Sequence, residues 1–336
     1  SQVLCTLVER LTGKAFFDFL NERLFSYLGT FKTAGILKTR TEDSFGDSAM
    51  ICTTRDAASF GRLLMNGGAW NGRQLISADY VREATAMQVD CDELGFDAFS
   101  THGYGYQIWR LRDGFFFNGM GSQFTFCLPK RDLIFSINSD NQGYPAAGAL
   151  IEAAFYDFIV DELHDEPLPE DPTAYADCEA LAQSLELMHL VGPAHSVYER
   201  ELHGKVYHCA ENPTGITQFA FSFSGDEGVL HYVNAQGQKE LHFGLGKNTF
   251  GKFPQLGYSD EHAGAVTTNG FMYDCACSAA WREERKLLIK VQIIDRYFGN
   301  MLAMFSFKGD VAVVRMVKTA ENFLNEYSGE FCAVRA

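Results

Sequence analysis

The chain has 336 residues, 46% hydrophobic and 21% charged, enough for about two domains with real cores, which excludes a disordered or low-complexity protein. Asp and Glu (43) outnumber Lys and Arg (28), for a net charge of −15, so nothing general attracts a phosphate backbone and no nucleic-acid partner is expected. No apolar run is long enough to span a bilayer, so no membrane span is expected either.

Val3, Leu4, Leu7, Val8 and Leu11 recur at helical spacing, and Gly13 suits the stop. A second amphipathic helix follows, with Phe16, Phe17, Leu20, Leu24, Phe25 and Leu28 inward. The chain thus opens inside a folded pattern, and we expect a fragment whose natural start lies elsewhere. Thr53 precedes RDAASFGRLLMNGG with Asp56 three residues on, close to a capping box, and Gly67-Gly68 ends that helix. Ser77 starts ADYVREATAMQ in the same way. Four strands come next: YGYQIWRL, GFFFNG, SQFTFCLP and LIFSINS, the last two joined into a hairpin by a turn at residues 129–132. Tyr104, Tyr106 and Trp109 make the first of them aromatic, as core packing or as a substrate wall. Residues 146–163 return to helical periodicity.

Residues 161–179 hold eight acids, no Lys or Arg, and three of the eight prolines. Like charges and fixed φ angles favour an extended segment, so the domain boundary is placed here: 1–163, a linker with a short helix at 164–194, and 195–336. His164 beside Asp165 and Glu166 reads as part of a solvated charge run. Beyond residue 195 short alternating or aromatic runs, separated by Gly, Asn and Asp, fit a small antiparallel barrel, with TAENFLNEY as a closing helix. Phe219, Phe221, Phe223, Tyr232 and Phe243 either fill that barrel or line an apolar ligand site. The nine cysteines are scattered without a CxxC pair, which reads as small buried side chains in a reducing, cytoplasmic compartment. Cys275 and Cys277 share one face of a strand. His203 with His208, and His231 with His242, lie within cross-strand reach, but no ligand motif fixes them, so neither a metal nor a cofactor is expected.

Four segments within residues 3–140 carry a resemblance: VERLTGKAFFDFLNERLFSYLG, AMICTTRDAASFGRLLMNGGAWNGRQLISADYV, GYGYQIW and FFFNGMGSQFTFCLPKRDLIFSINS. In order and spacing they resemble the later part of the serine β-lactamase and penicillin-binding-protein-like hydrolase superfamily, over about 40% of the chain. The resemblance implies an α+β fold: an incomplete β-lactamase-like domain, an antiparallel sheet flanked by helices, followed by a mainly antiparallel, lipocalin-like barrel. It also implies acyl transfer by a serine with a lysine base one helical turn later, a relay on a Tyr-x-Asn loop, and backbone N–H groups that hold the oxyanion.

No Ser in this chain is followed three residues later by Lys, so no catalytic nucleophile or base is assigned. Tyr232-Val233-Asn234 and Ser136-Ile137-Asn138 match short motifs but sit in strands, and we read them as coincidental. The family's third motif aligns with Phe117-Asn118-Gly119. By that alignment Gly119 lets substrate approach the backbone, the Met120 N–H is the oxyanion donor, and Asn118 and Gln123 hydrogen-bond substrate. Gly121, Ser122 and Trp109 complete the substrate-binding set. Phe117 stands where the family has Lys or His, which argues against penicillin-type substrates and towards another ester or amide, or no activity. The plain reading of the same residues is a glycine-rich turn.

The expectation is therefore a fragment of a serine hydrolase that cleaves a small ester or amide, inactive alone. The alternative is a non-catalytic ligand-binding or structural module on a degenerate hydrolase scaffold. Strands that the family places before its serine helix are not in this sequence, so the sheet should carry an uncovered edge or face. A second copy or a separate N-terminal segment is expected to cover it.

Overall fold

The computed structural model describes residues 1–91, 102–263, 271–320 and 323–336. The chain is α+β and divides into two compact units: Ser1–Leu163 with Glu261–Ala263, and His164–Asp260 with Gly264–Ala336. Among the described residues no helix is long and apolar enough to cross a membrane.

The first unit is built on a four-stranded antiparallel sheet. Its strands β1 (Trp109–Leu111), β2 (Gly114–Gly119), β3 (Gln123–Leu128) and β4 (Leu133–Ile137) lie in chain order. Around it run helices α1 (Gln2–Thr12), α2 (residues 16–28, with a π turn over Asn21–Phe25), α3 (Thr54–Met65), α4 (Ala78–Thr85) and α5 (Ala147–Phe155). FFF in β2 and FTFCL in β3 are continuous apolar runs because both faces of these strands are covered. On one face Phe116, Phe124, Phe126 and Leu128 pack with Phe155 and Val160 from α5 and the π turn after it. On the other, Phe115 and Cys127 pack with Leu64 of α3 and with Val81 and Ala84 of α4. Each such buried Phe contributes about 1.5–3 kcal/mol relative to an exposed one. A Cβ on Gly61 of α3 would stand 2.8 Å from Cys127 Sγ and 3.2 Å from Thr125 Cγ2, so only glycine lets the helix lie this close to β3.

The capping box is present: Thr53 Oγ1 accepts from Asp56 N and the Asp56 carboxylate accepts from Thr53 N. Asp56 Oδ1 also accepts from Phe31 N, tying α3 to the Phe25–Phe31 stack, whose rings are 3.9 Å apart. Ser77 differs, since its side chain makes no capping hydrogen bond, and α4 ends at Thr85. The expected strand at residues 104–111 is broken. Gln107 takes φ 60° in a tight turn, so Tyr104 folds back to bridge Trp109. Helix α1 forms as expected, but Val3, Leu4, Leu7 and Leu11 are 48–79% exposed and only Cys5 is buried.

The second unit opens with helix α6 (Pro172–Ser184), exposed throughout. Asp171 accepts from the N–H groups of Thr173 and Ala174, and Pro172 sits where a missing N–H costs nothing, so the acidic segment is helical from there rather than extended. A barrel follows, with strands β5 (Tyr207–Cys209), β6 (Gln218–Ser224), β7 (Glu227–Asn234), β8 (Gly237–Leu245), β9 (Thr249–Lys252), β10 (Asp274–Glu283), β11 (Lys286–Ile294), β12 (Phe298–Lys308), β13 (Val311–Lys318) and β14 (Gly329–Arg335). They pair in the order β8-β7-β6-β5-β14-β13-β12-β11-β10-β9, and β8 closes on β10 through one short parallel seam, Gly244↔Ser278 and Leu245↔Ala279. The expected closing helix lies partly outside the described residues; within them Asn325–Tyr327 forms a 3₁₀ turn, and β14, which pairs with β13 and β5, follows. Tyr207, Phe221, Phe243, Trp281 and Phe305 are each at most 1% exposed and belong to the barrel's core. Cys275 and Cys277 point into it side by side, Sγ to Sγ 3.6 Å. All nine cysteines are free thiols, but Cys178 and Cys332 are exposed rather than buried.

Burial raises the Asp56 carboxyl, and the hydrogen bonds from Phe31 and Thr53 outweigh it, so the group is held below the ordinary carboxylate value. Asp56→Ala is therefore expected to cost about 1–2 kcal/mol of unfolding free energy at neutral pH. A depressed native pKa means the contribution is complete above the unfolded value near ~4 and fades as pH falls through the native one. Denaturant titrations of the two proteins should separate at pH 7 and converge in acid. An equal gap at pH 7 and in acid would contradict the assignment.

Candidate functional site

The hairpin of β2 and β3 brings most of the sequence-predicted site together. The register Phe117↔Thr125, Asn118↔Phe124, Gly119↔Gln123 leaves Met120, Gly121 and Ser122 as a three-residue tip. Gly121 (φ 77°) and Ser122 (φ 69°) are both left-handed. Glycine adopts this freely, whereas Ser122 must be held there. A Cβ on Gly119 would lie 3.0 Å from Gln123 Cβ and 3.2 Å from its Cγ, so a side chain there would crowd Gln123. Asn118 is exposed at its rim.

The hold on Ser122 comes from the segment after β4. Ser139 Oγ lies 2.8 Å from both the Gly121 and Ser122 carbonyls and shares its proton between them. Asn141 N donates to Gly121 O at 3.1 Å, and Asn141 Nδ2 to Ser139 Oγ at 3.1 Å. Gln123 Nε2 donates to Met120 O at 3.2 Å and to Ser139 O, while Gln123 Oε1 accepts from Ser139 N at 3.2 Å. The Gln123 amide is thus engaged inside the hairpin, where it positions the tip. Ser139 and Asn141 escaped the sequence reading. Their only signal is the polar stretch that follows LIFSI.

Trp109 lies elsewhere. It pairs with Phe116, three residues or about 10 Å along the strand from Gly119. Its ring sits 4.6 Å from Tyr104 and 6.3 Å from Phe116, against the core. Packing accounts for its position, apart from the hairpin tip. Phe117 packs on Phe60, ring centroids 5.4 Å apart, so an apolar neighbour on α3 explains the aromatic at that position.

The two motif look-alikes are occupied. Ser136 Oγ bonds Thr125 Oγ1 across the strands at 2.8 Å. Tyr232 is buried in the barrel with its hydroxyl 2.8 Å from that of Tyr327. His231 and His242 meet through Glu240 on the exposed barrel face, at 3.3 and 3.8 Å, with Ser222 Oγ 2.8 Å from His231 Nε2. His203 instead accepts from Phe223 N–H at the edge of β6. Among the described residues no group of three or more His, Cys, Asp or Glu is placed to hold a metal ion.

No family model matches the chain. Over 112 residues, 32% of this chain, it is 30% identical to the 6-aminohexanoate-dimer hydrolase of Paenarthrobacter ureafaciens. Part of the chain is thus similar in sequence to a hydrolase. The chain spans less than a third of that relative, 29% of its length. Among solved structures, a candidate 6-aminohexanoate-dimer hydrolase from Bacillus anthracis matches 48% of this chain and 43% of its own, at 24% identity and a TM-score of 0.37. A fatty-acid-binding protein from Manduca sexta matches 40% of this chain and 99% of its own, at 12% identity and a TM-score of 0.27. With TM-scores below 0.5, neither of these two likenesses bears on function.

The brace is testable without knowing a substrate. Gln123→Ala and Ser139→Ala are each expected to lower stability by about 1–2 kcal/mol, with a coupling of about 1 kcal/mol in the double-mutant cycle. Additive losses would mean that the two side chains do not act as one unit.

Proposed function

We propose that these residues belong to a β-lactamase-like serine hydrolase that cleaves an ester or amide through an acyl-enzyme, and that they supply its oxyanion wall. The observation that carries this reading is the braced tip at Gly119–Gln123, in a chain 30% identical over 112 residues to a hydrolase. Attack on a carbonyl puts negative charge on its oxygen, and a fixed N–H aimed at that oxygen lowers the barrier. In this role the Met120 N–H donates, the bare Gly119 admits the substrate, and Asn118 at the rim hydrogen-bonds it. With Phe117 turned onto Phe60, no cation stands at that position to select a carboxylate, which favours an ester or amide without one there.

The attacking group is the missing part. With no Ser-x-x-Lys in these 336 residues, the nucleophile and base would come from sequence beyond them. Strand β4 is an edge of its sheet among the described residues, and α1 presents Val3, Leu4, Leu7 and Leu11 outward. A segment carrying the serine, or a second copy, would cover such surfaces.

Intact-mass spectrometry after exposure to a fluorophosphonate and to a penicillin probe tests the reading. The 336-residue chain should take up no stoichiometric label, and one equivalent on any of its serines would overturn the proposal. In a longer form that carries Ser-x-x-Lys, labelling should appear, and Gly119→Val should lower kcat about 10²-fold. A longer form that neither labels nor turns over would leave the non-catalytic module as the better description.

A further inference from the structure

We infer that a cleft at the other end of the same sheet binds a small organic anion, a carboxylate or phosphate on a short apolar body. The cleft has a volume of about 400 Å³ and lies wholly within the first unit, between α3, α4 and the turns at residues 112–114 and 129–130. Leu64, Val81, Phe115 and Pro129 give it an apolar wall. Arg82, Arg110, Arg112 and Lys130 line it, with Asp113 the one acid. Lys and Arg are 28 of 336 residues in a chain of charge −15, yet they are four of the fourteen that line this cleft. Asp79 and Asp113 already meet Arg82 and Arg112, and the four cations still outnumber these acids, so the lining favours an anion.

The side chains are also oriented. Arg110 donates through Nη1 to Thr85 O at 2.8 Å, which fixes its guanidinium at the end of α4. Arg112 is already engaged, its guanidinium 4.3 Å over the Tyr156 ring and Nε 3.1 Å from Asp113, which leaves Arg82, Arg110 and Lys130 as the cations offered to a ligand. Arg82 pairs with Asp79 at 2.7 Å, both side chains more than two-thirds exposed. Exposed pairs of this kind are worth about 0–1 kcal/mol, so exchanging Asp79 for a ligand oxygen costs little. Guanidinium forks match carboxylate and phosphate oxygens in pairs, and a cleft of this volume with an apolar wall takes a chain of several carbons. The cleft meets β2 at Gly114 and Phe115, and Gly119 is five residues on, about 16 Å away. It is therefore a second site, and the inference stands whether or not the hairpin tip serves a hydrolase.

Calorimetric titration of the whole chain with octanoate and with octyl phosphate tests this, with octanol and octylammonium as controls. At least one anion should bind saturably, tenfold or more tighter than octanol, and the Arg82→Glu/Lys130→Glu double variant, both positions exposed, should weaken it tenfold or more. Whichever anion binds more tightly identifies the head group. The inference fails if neither anion saturates below about 10 mM, if octanol binds as tightly, or if the folded double variant keeps the affinity.

Discussion

The constraint on which the site depends is the two-sided burial of β3. Phe124, Phe126 and Leu128 point into one core, and Thr125 and Cys127 face α3 across Gly61. A slip of one residue would drive Thr125 into the aromatic cluster and Phe124 into the space that only a bare Gly61 leaves open. The register is therefore fixed, and with it the pairing of Gly119 with Gln123 and the three-residue tip between them. The strain at Ser122 is tolerable only because that fixed register also delivers Ser139 and Asn141 from the end of β4. Packing in the body of the sheet thus becomes backbone geometry at its tip.

The barrel follows a different logic. Strands such as β6 and β8 largely alternate, so one face of each turns inward, and aromatic rings are prominent among the buried side chains. Phe221 lies edge-on to Phe243, Phe305 and Phe307, at centroid distances of 5.0–6.4 Å. At the other end Tyr327 joins the Tyr232 hydroxyl to Gln255, which satisfies polar groups the closed interior cuts off from water.

Much of this was legible in the sequence, for physical reasons that differ by element. Thr53 and Asp56 announced α3 because a capping box is a local device that needs no tertiary partner. β2, β3 and most barrel strands were legible because their apolar runs have only one way to be buried. What escaped was non-local. The fold-back at Gln107 needs φ 60° at a residue with no glycine signal. Strand β14 was hidden because ENFLNEY carries helical spacing, while GEFCAVR finds its partners only in β13 and β5, far away in sequence. At the hairpin tip, Asn118 through Gln123 are neighbours in sequence, so their grouping needed no tertiary information. The inward use of the Gln123 amide depends on Ser139, sixteen residues on, and no local pattern reports that.

The reading of the tip as an oxyanion wall can be met head-on by crystallography. A form of the protein carrying Ser-x-x-Lys would be trapped with a phosphonate, whose phosphonyl oxygen stands in for the oxyanion of the tetrahedral intermediate. That oxygen is expected about 3 Å from the Met120 nitrogen, over Gly119. A phosphonate bound to a serine of these 336 residues, or an oxygen held by donors away from the β2–β3 tip, would contradict it.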